Sequence, residues 1–150
     1  MAQGAPRDPY QQFRFVIDVD GCGSARFETG SELACEIGEA VYWEGGSLIP
    51  VKLPGRLTFP DIELARGASE DFDLYNWAVA TANAASGRSS KDERNLTYEQ
   101  RDIPGDPAEY FAVYGAQMRR WATGGWDNKT DDVRVEQAKM SYSYFEREAA

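Results

Sequence analysis

The stretch Tyr42–Gly67 reads YWEGGSLIPVKLPGRLTFPDIELARG and combines two glycine or proline turns with apolar segments. Gly45 and Gly46 can adopt positive φ at no steric cost, which predicts a turn after a strand that ends near residue 44. Pro54 presets φ and Gly55 can occupy a left-handed position, so this pair predicts a second turn, of type II.

The segments around these turns predict strands that form a long hairpin. Leu48–Leu53 and Leu57–Leu64 are rich in Leu, Ile, Val and Phe, which is typical of strands. Pro60 interrupts the second segment, which predicts a bulge or an edge position there. We therefore predict a hairpin, Glu44–Phe59, that projects from the domain and contacts an adjacent subunit or ring. The alternative is a hairpin folded back over its own core.

One helix is predicted at Glu70–Ala85, with Ser69 as its N-cap and acidic residues in its first turn. Its apolar stripe follows helical spacing and consists of Leu74, Trp77, Ala78, Thr81, Ala82 and Ala85. Gly87 supplies the stop. The stripe predicts a helix packed against a sheet, with Trp77 buried.

The remaining segments predict an antiparallel β-barrel or sandwich. Residues 13–19 place Phe and aliphatic side chains at every second position, and further strands are predicted at Leu96–Arg101, Tyr110–Trp121 and Val133–Glu146. Tyr110–Trp121 is apolar on both faces, so either the helix or a neighbouring subunit covers the second face. Val133–Glu146 is too long for a compact hairpin and suits a strand that crosses from the core to an interface.

The composition of the chain favours one folded domain. Its 150 residues and 42% hydrophobic content fit a single domain at 10–150, preceded by a flexible arm at 1–9. The formal charge of −9 disfavours sequence-specific binding to nucleic acid. No basic-then-apolar leader opens the chain and its longest uncharged run, Leu74–Gly87, is too short to span a bilayer, so we expect synthesis in the cytoplasm.

The residue types give no indication of catalysis, a metal or a cofactor. The chain contains no histidine, which excludes Ser-His-Asp triads and histidine-ligated metals. Cys22 and Cys35 lack CxxC spacing and are predicted to be reduced. Asp18 and Asp20 share a strand face, with the spacing of paired carboxylates in glycosidases and Ca²⁺ sites, but the pattern favours a solvated outer face. WDNKTDD, at residues 126–132, lacks the glycine and glutamate of an EF-hand and is predicted to be an acidic turn.

Several short elements resemble those of the tail tube proteins of contractile phages and extracellular contractile injection systems. In chain order they are Tyr42, Glu44-Gly45-Gly46, Lys52-Leu53-Pro54-Gly55, Phe59, Ile62, Leu64, Arg66-Gly67, Leu74 and Trp77. The resemblance extends loosely over residues 13–146. It implies a structural, non-catalytic subunit of the inner tube that forms hexameric rings, stacked around a lumen for DNA or protein cargo.

The resemblance also implies partners and residue roles. The partners are other copies of the chain, a sheath protein, baseplate or tube-initiator proteins and a terminator, within a virion tail or a released injection particle. Contacts between subunits or rings are expected at Glu44, Gly45, Gly46, Lys52, Leu53, Pro54, Gly55 and Arg56. Structural roles are expected for Arg66, Gly67, Leu74 and Trp77.

Two alternatives remain open from the sequence. One is a tube-initiating or baseplate-adjacent paralogue, and the other is a monomeric β-barrel that binds a small apolar ligand. If the subunits form a ring with a continuous inner sheet, every second residue of its strands faces a wet channel. We expect an acidic lumen, with candidates at Asp18, Glu32, Glu36 and Glu136. The rival hypothesis places these carboxylates on the outer wall.

Overall fold

The computed structural model describes residues 14–21, 27–68, 71–87 and 92–149. These residues form nine strands and one helix, and every strand pair is antiparallel, which confirms the mainly β prediction. The strands are β1 (Phe15–Val19), β2 (Thr29–Gly30), β3 (Glu36–Tyr42), β4 (Val51–Thr58), β5 (Ile62–Gly67), β6 (Arg94–Arg101), β7 (Pro107–Ala122), β8 (Val135–Ser141) and β9 (Tyr144–Ala149). Helix α1 (Asp73–Ala85) lies between β5 and β6 in the chain.

The long strand β7 connects the two halves of the main sheet. Its first part pairs with β6 and β9, and its last part pairs with β8, which continues through β5 to β2. β7 bends at Gly115, whose φ of 70° favours glycine. β8 and β9 both pair with β7 and are separated by Tyr142 and Ser143, and the β7–β8 register shifts by one residue between Met118 and Arg120. The prediction of a single strand over Val133–Glu146 is wrong, because two strands, β8 and β9, occupy this part of the chain.

The core lies between the two halves of the sheet. Alternate residues of β1 are buried at Ile17 and Val19 while Asp18 is exposed, as the period-2 pattern predicts. The other half supplies alternate residues of β5 and β8. The buried apolar residues are Ile17, Val19, Phe27, Ile62, Leu64, Leu74, Trp77, Leu96, Val113, Ala116, Met118, Ala138, Met140 and Tyr142. Phe13, the predicted first member of the β1 pattern, lies outside the described residues.

Helix α1 packs on β7 through Leu74 and Trp77, which are both buried as predicted. The helix begins at Asp73 rather than at residue 70, its N-cap residue is Phe72, and the Asp73 N–H donates to Asp71 Oδ1 at 3.0 Å. The stripe is also shorter than predicted, because Ala82 and Ala85 are exposed. The predicted cap at residue 69 and the predicted flexible N-terminal segment at 1–9 lie outside the described residues.

β3 and β4 form a separate two-stranded sheet, which we call the arm (Glu36–Thr58). The turn at Gly45-Gly46 is confirmed, and it lies in the loop that joins the two strands. The predicted turn at Pro54-Gly55 is wrong, because both residues lie inside β4. The predicted bulge or edge position at Pro60 is wrong as well, because Pro60 separates β4 from β5, which belong to different sheets.

Candidate assembly surfaces

The arm exposes apolar side chains that the rest of the protomer leaves uncovered. Every residue of β3 and β4 is classed as exposed, and the arm pairs with no other strand among the described residues. A two-stranded hairpin on its own is marginally stable in water, and a large exposed apolar surface marks an interaction site. The exposed apolar residues of the arm are Ile37, Val41, Tyr42, Trp43, Leu48, Ile49, Val51, Leu53 and Leu57.

Both faces of the arm carry apolar residues. The strand register places Ala40 opposite Leu53 and Tyr42 opposite Val51 on one face. Ile37 and Leu57 lie opposite each other on the other face. The second face also carries an ion pair between Lys52 Nζ and Glu39 Oε1 at 3.6 Å, which is solvent-exposed and therefore contributes little stability. An arm of this kind is suited to insertion between two surfaces rather than to lying on one.

The loop at the tip of the arm is the most exposed apolar feature of the chain. Leu48 is 94% exposed and Ile49 is 78% exposed. The loop is nevertheless ordered by local hydrogen bonds, because the Ser47 N–H donates to the Glu44 carbonyl at 3.0 Å and the Ser47 hydroxyl donates to the Ile49 carbonyl at 2.9 Å. A loop whose backbone is already ordered loses little additional backbone freedom when a partner covers its apolar side chains.

Pro54 and Gly55 shape the arm from within β4. The register shifts by one residue between the pairs Ile37–Leu57 and Glu39–Pro54, so β4 carries a bulge at this point. A Cβ atom on Gly55 would lie 2.7 Å from the carbonyl carbon of Gly38, so no larger residue fits without a backbone shift. Pro54 lacks an N–H, which an edge strand tolerates.

Arg66 and Glu136 form a buried ion pair between β5 and β8. Arg66 is 4% exposed and Glu136 is 6% exposed, and Arg66 Nε donates to Glu136 Oε1. Arg66 Nη1 also bonds Asp71 Oδ2 at 3.1 Å, which links the sheet to the start of α1. The assignment of Glu136 to the lumen is therefore wrong, because this carboxylate is enclosed within the protomer and neutralised there. Gly67 ends β5 and is exposed.

The positions of Arg66 and Glu136 within the alternation of their strands are a sequence signal for this ion pair. Arg66 continues the buried alternation of Ile62 and Leu64, and Glu136 begins the buried alternation of Ala138, Met140 and Tyr142. A charged residue that alternation places on the buried face of a strand predicts a buried ion pair when a neighbouring strand carries the opposite charge on the same face.

A second surface is the outer face of the half-sheet β1-β6-β7-β9. The register aligns Asp18, Thr97, Ala112 and Glu146 in one row across the four strands. The next row contains Val16, Glu99, Tyr110 and Glu148. Four carboxylates therefore share this face. One of them, Glu99, forms an ion pair in which its Oε1 lies 3.5 Å from Arg101 Nε.

The carboxylates of this face affect a neighbouring tyrosine. Tyr114 stacks on Tyr144 with ring centroids 4.7 Å apart. Nearby side chains desolvate the Tyr114 hydroxyl, and the negative charges of Glu146 and Glu148 add to this effect, so the pKa of Tyr114 is raised above its ordinary value.

The other predicted lumen residues lie elsewhere. Glu32 is exposed in the segment between β2 and β3, and Glu36 is the first residue of the arm. Only Asp18 of the four candidates lies on the acidic half-sheet. Glu99, Glu146 and Glu148 were missed because their common face depends on strand order, which one sequence does not specify.

A cavity of about 710 Å³ opens beside β1, β6 and the segment around β2. Its apolar lining includes Phe15, Ile17, Phe27, Leu33, Tyr98 and Phe111. The buried Tyr98 hydroxyl has no hydrogen-bond partner among the described residues. Burial, with a smaller contribution from Tyr142, raises the pKa of Tyr98. This cavity is the site that a monomeric ligand-binding module would use.

The described part of the chain contains neither a membrane-spanning helix nor a cluster of metal-ligating side chains. No helix in it is long and apolar enough to cross a membrane. No group of three or more Cys, Asp or Glu in residues 14–21, 27–68, 71–87 and 92–149 could hold a metal ion. Cys35 is exposed and is a free cysteine. Cys22 lies outside the described residues.

The antiparallel fold and its detached apolar arm define a structural protein of the tail tube class. The family model for the T4-like virus tail tube protein gp19 matches residues 11–146, and the chain belongs to this family. No curated protein sequence matches the chain.

Solved structures share the fold at low sequence identity. The tube-terminating cap of the anti-feeding prophage is 18% identical with a TM-score of 0.84, over 99% of this chain and 97% of that one. A chain of the PVC sheath-tube complex, from an extracellular contractile injection system, is 19% identical with a TM-score of 0.80, over 95% and 93%. Hcp1 from Flavobacterium johnsoniae is 9% identical with a TM-score of 0.62, over 91% and 95%.

Proposed function

We propose that this chain is the repeating subunit of the inner tube of a contractile tail or injection particle, and that it stacks as hexameric rings around a lumen. The observation that carries the proposal is the arm, whose two apolar faces have no cover within the described protomer. Family membership and the shared fold of the PVC sheath-tube complex support it. The proposed role requires no catalysis.

The edges of the acidic half-sheet support lateral association in a ring. β1 and β9 are its outer strands, and each pairs on one side only among the described residues. Unpaired strand edges are templates for pairing with another chain. We propose that neighbouring subunits join these edges into a continuous inner sheet. A sheath, a baseplate or initiator protein and a terminator complete the proposed set of partners, and the subunit is made in the cytoplasm.

The outer face of the acidic half-sheet then lines the lumen. Asp18, Glu99, Glu146 and Glu148 project from one face of this sheet, and a wet channel requires polar residues there. The expected result of a cryo-EM reconstruction of the assembled tube is a negatively charged channel that contains these four carboxylates. A reconstruction that places them on the outer wall contradicts the lumen proposal. DNA or protein is the proposed cargo.

The arm is tested by placing charge at its tip. Leu48→Asp/Ile49→Asp should leave the protomer folded, because both side chains are already exposed, but should abolish tubes under negative-stain microscopy. The matched control is Val133→Asp, at a residue that is 74% exposed outside the arm, and it should still form tubes. Normal tubes from the tip variant would show that the arm does not carry the contact.

The same experiment separates the alternative functions. The tube-terminating cap of the anti-feeding prophage shares the fold, so an end position in the tube is the second candidate. Long tubes from the parent protein alone support the main tube subunit, and single rings that do not stack support an initiator or terminator. A stable 16.7 kDa monomer would instead favour a ligand-binding module built on the 710 Å³ cavity.

A further inference from the structure

A bulge in β7 brings three positive charges together on the outer face of the other half-sheet. Met118 pairs with Met140 and Arg120 pairs with Lys139, so Arg119 is the extra residue of the bulge. Arg119 Nε donates to the Ser141 hydroxyl at 2.8 Å, on the face that Lys139 shares. Two consecutive arginines and one lysine therefore lie together, and we call Arg119, Arg120 and Lys139 the basic patch.

The basic patch is unfavourable for the isolated protomer. Arg120 and Lys139 lie directly opposite each other in the ladder, and like charges at such positions destabilise a sheet. Neither residue forms an ion pair within 4.0 Å among the described residues. Glu63 lies opposite Lys139 on β5 but does not pair with it, and Glu93 bonds Gln117 at 3.1 Å beside the patch. The patch therefore offers unpaired cations to an external partner.

We infer that the basic patch binds a carboxylate-bearing surface of a second copy of this chain. The inference rests on the proposed self-assembly. Charge complementarity favours a second copy over a neutral or basic partner, because each copy carries 25 Asp and Glu against 16 Lys and Arg. The bulge puts both arginines on the binding face, which regular alternation would prevent.

Neutralising the patch tests the inference and separates it from a role in folding. Arg120→Gln/Lys139→Gln removes a like-charge pair, so the thermal midpoint of the variant under non-assembling conditions should stay level or rise. Its critical concentration for assembly should rise about tenfold, and this concentration should depend less on NaCl than that of the parent. Unchanged assembly with unchanged salt dependence would overturn the inference.

Charge reversal with a matched control provides the second measurement. Arg120→Glu/Lys139→Glu changes the formal charge from −9 to −13, since each of two reversals changes it by two units. Asn128→Asp/Lys129→Glu/Thr130→Asp makes the same change of four units in an exposed turn outside the patch. Assembly should fail in the first variant and persist in the second, and equal losses in both would overturn the inference.

The outcomes separate this inference from the proposed function. If the parent protein assembles and the patch variant assembles equally well, only the inference about the basic patch is refuted. A patch variant that forms normal tubes but no longer binds a partner protein such as a sheath also refutes only the inference about the basic patch. A parent that remains monomeric at every salt concentration refutes both the patch and the tube.

Discussion

Replacing Trp77 with alanine is expected to lower the free energy of unfolding by about 3–5 kcal/mol. Trp77 is 0% exposed, and its Nε1 donates to the Asp92 carbonyl at 3.2 Å. The Arg94 guanidinium lies 5.0 Å from the ring centroid. The substitution therefore removes the largest buried side chain of the described residues, leaves a cavity between α1 and β7, and removes the hydrogen bond to the partly buried Asp92 carbonyl. Urea unfolding at matched protein concentration measures the loss.

The matched control for this prediction lies one half-turn away on the same helix. Val79 is 40% exposed and lies outside the core, and alanine is the better helix former, so Val79→Ala should change the free energy of unfolding by no more than about 0.5 kcal/mol. In a chain of this size, the loss at Trp77 corresponds to a fall in Tm on the order of 10 °C. Equal midpoints for the two variants would show that α1 does not hold the fold together.

The sequence predicted best those elements whose burial depends on their own alternation. β1 carries Ile17 and Val19 toward the core, and β8 carries Ala138 and Met140, each at every second position. In such strands the side-chain period decides the face without knowledge of the neighbours. The buried Leu74 and Trp77 of α1 follow equally from helical spacing.

The arm shows where local turn chemistry misleads. Pro54-Gly55 has the residues of a type II turn, yet both residues lie within β4, where Pro54 pairs with Glu39 and Gly55 and Arg56 together face Gly38 in a bulge. Only the pairing partner distinguishes a turn from a bulge at such a dipeptide. The true hairpin therefore begins at Glu36, eight residues before the predicted start at Glu44.

The candidate sites could be predicted only in part, because a charged residue on a strand can be either exposed to solvent or buried in an ion pair. Asp18 and Glu136 both occupy alternating strands, but Asp18 lies out of phase with the apolar residues and Glu136 lies in phase with them. Phase alone separates the exposed carboxylate from the buried one. The acidic face and the basic patch require more, because their members come from different strands and meet only through the sheet order.

Arg66→Met is expected to cost about 3–5 kcal/mol of stability, because it leaves the Glu136 carboxylate buried without its cation. The loss should be smaller at about pH 5 than at about pH 8. Burial without a counterion raises the pKa of a carboxyl above its unfolded value, and stability from such a group is retained at low pH and lost as the pH rises.

The double variant Arg66→Met/Glu136→Met provides the control for the buried pair. Both charges are absent and the volume remains apolar, so most of the lost stability should return. Asp71 loses a partner in both variants, but its pKa is held below the ordinary value first by the Asp73 N–H and then by Arg66, so one favourable contact persists. A single variant as stable as the parent, or a double variant no more stable than the single one, would show that Arg66 and Glu136 do not stabilise the fold as a pair.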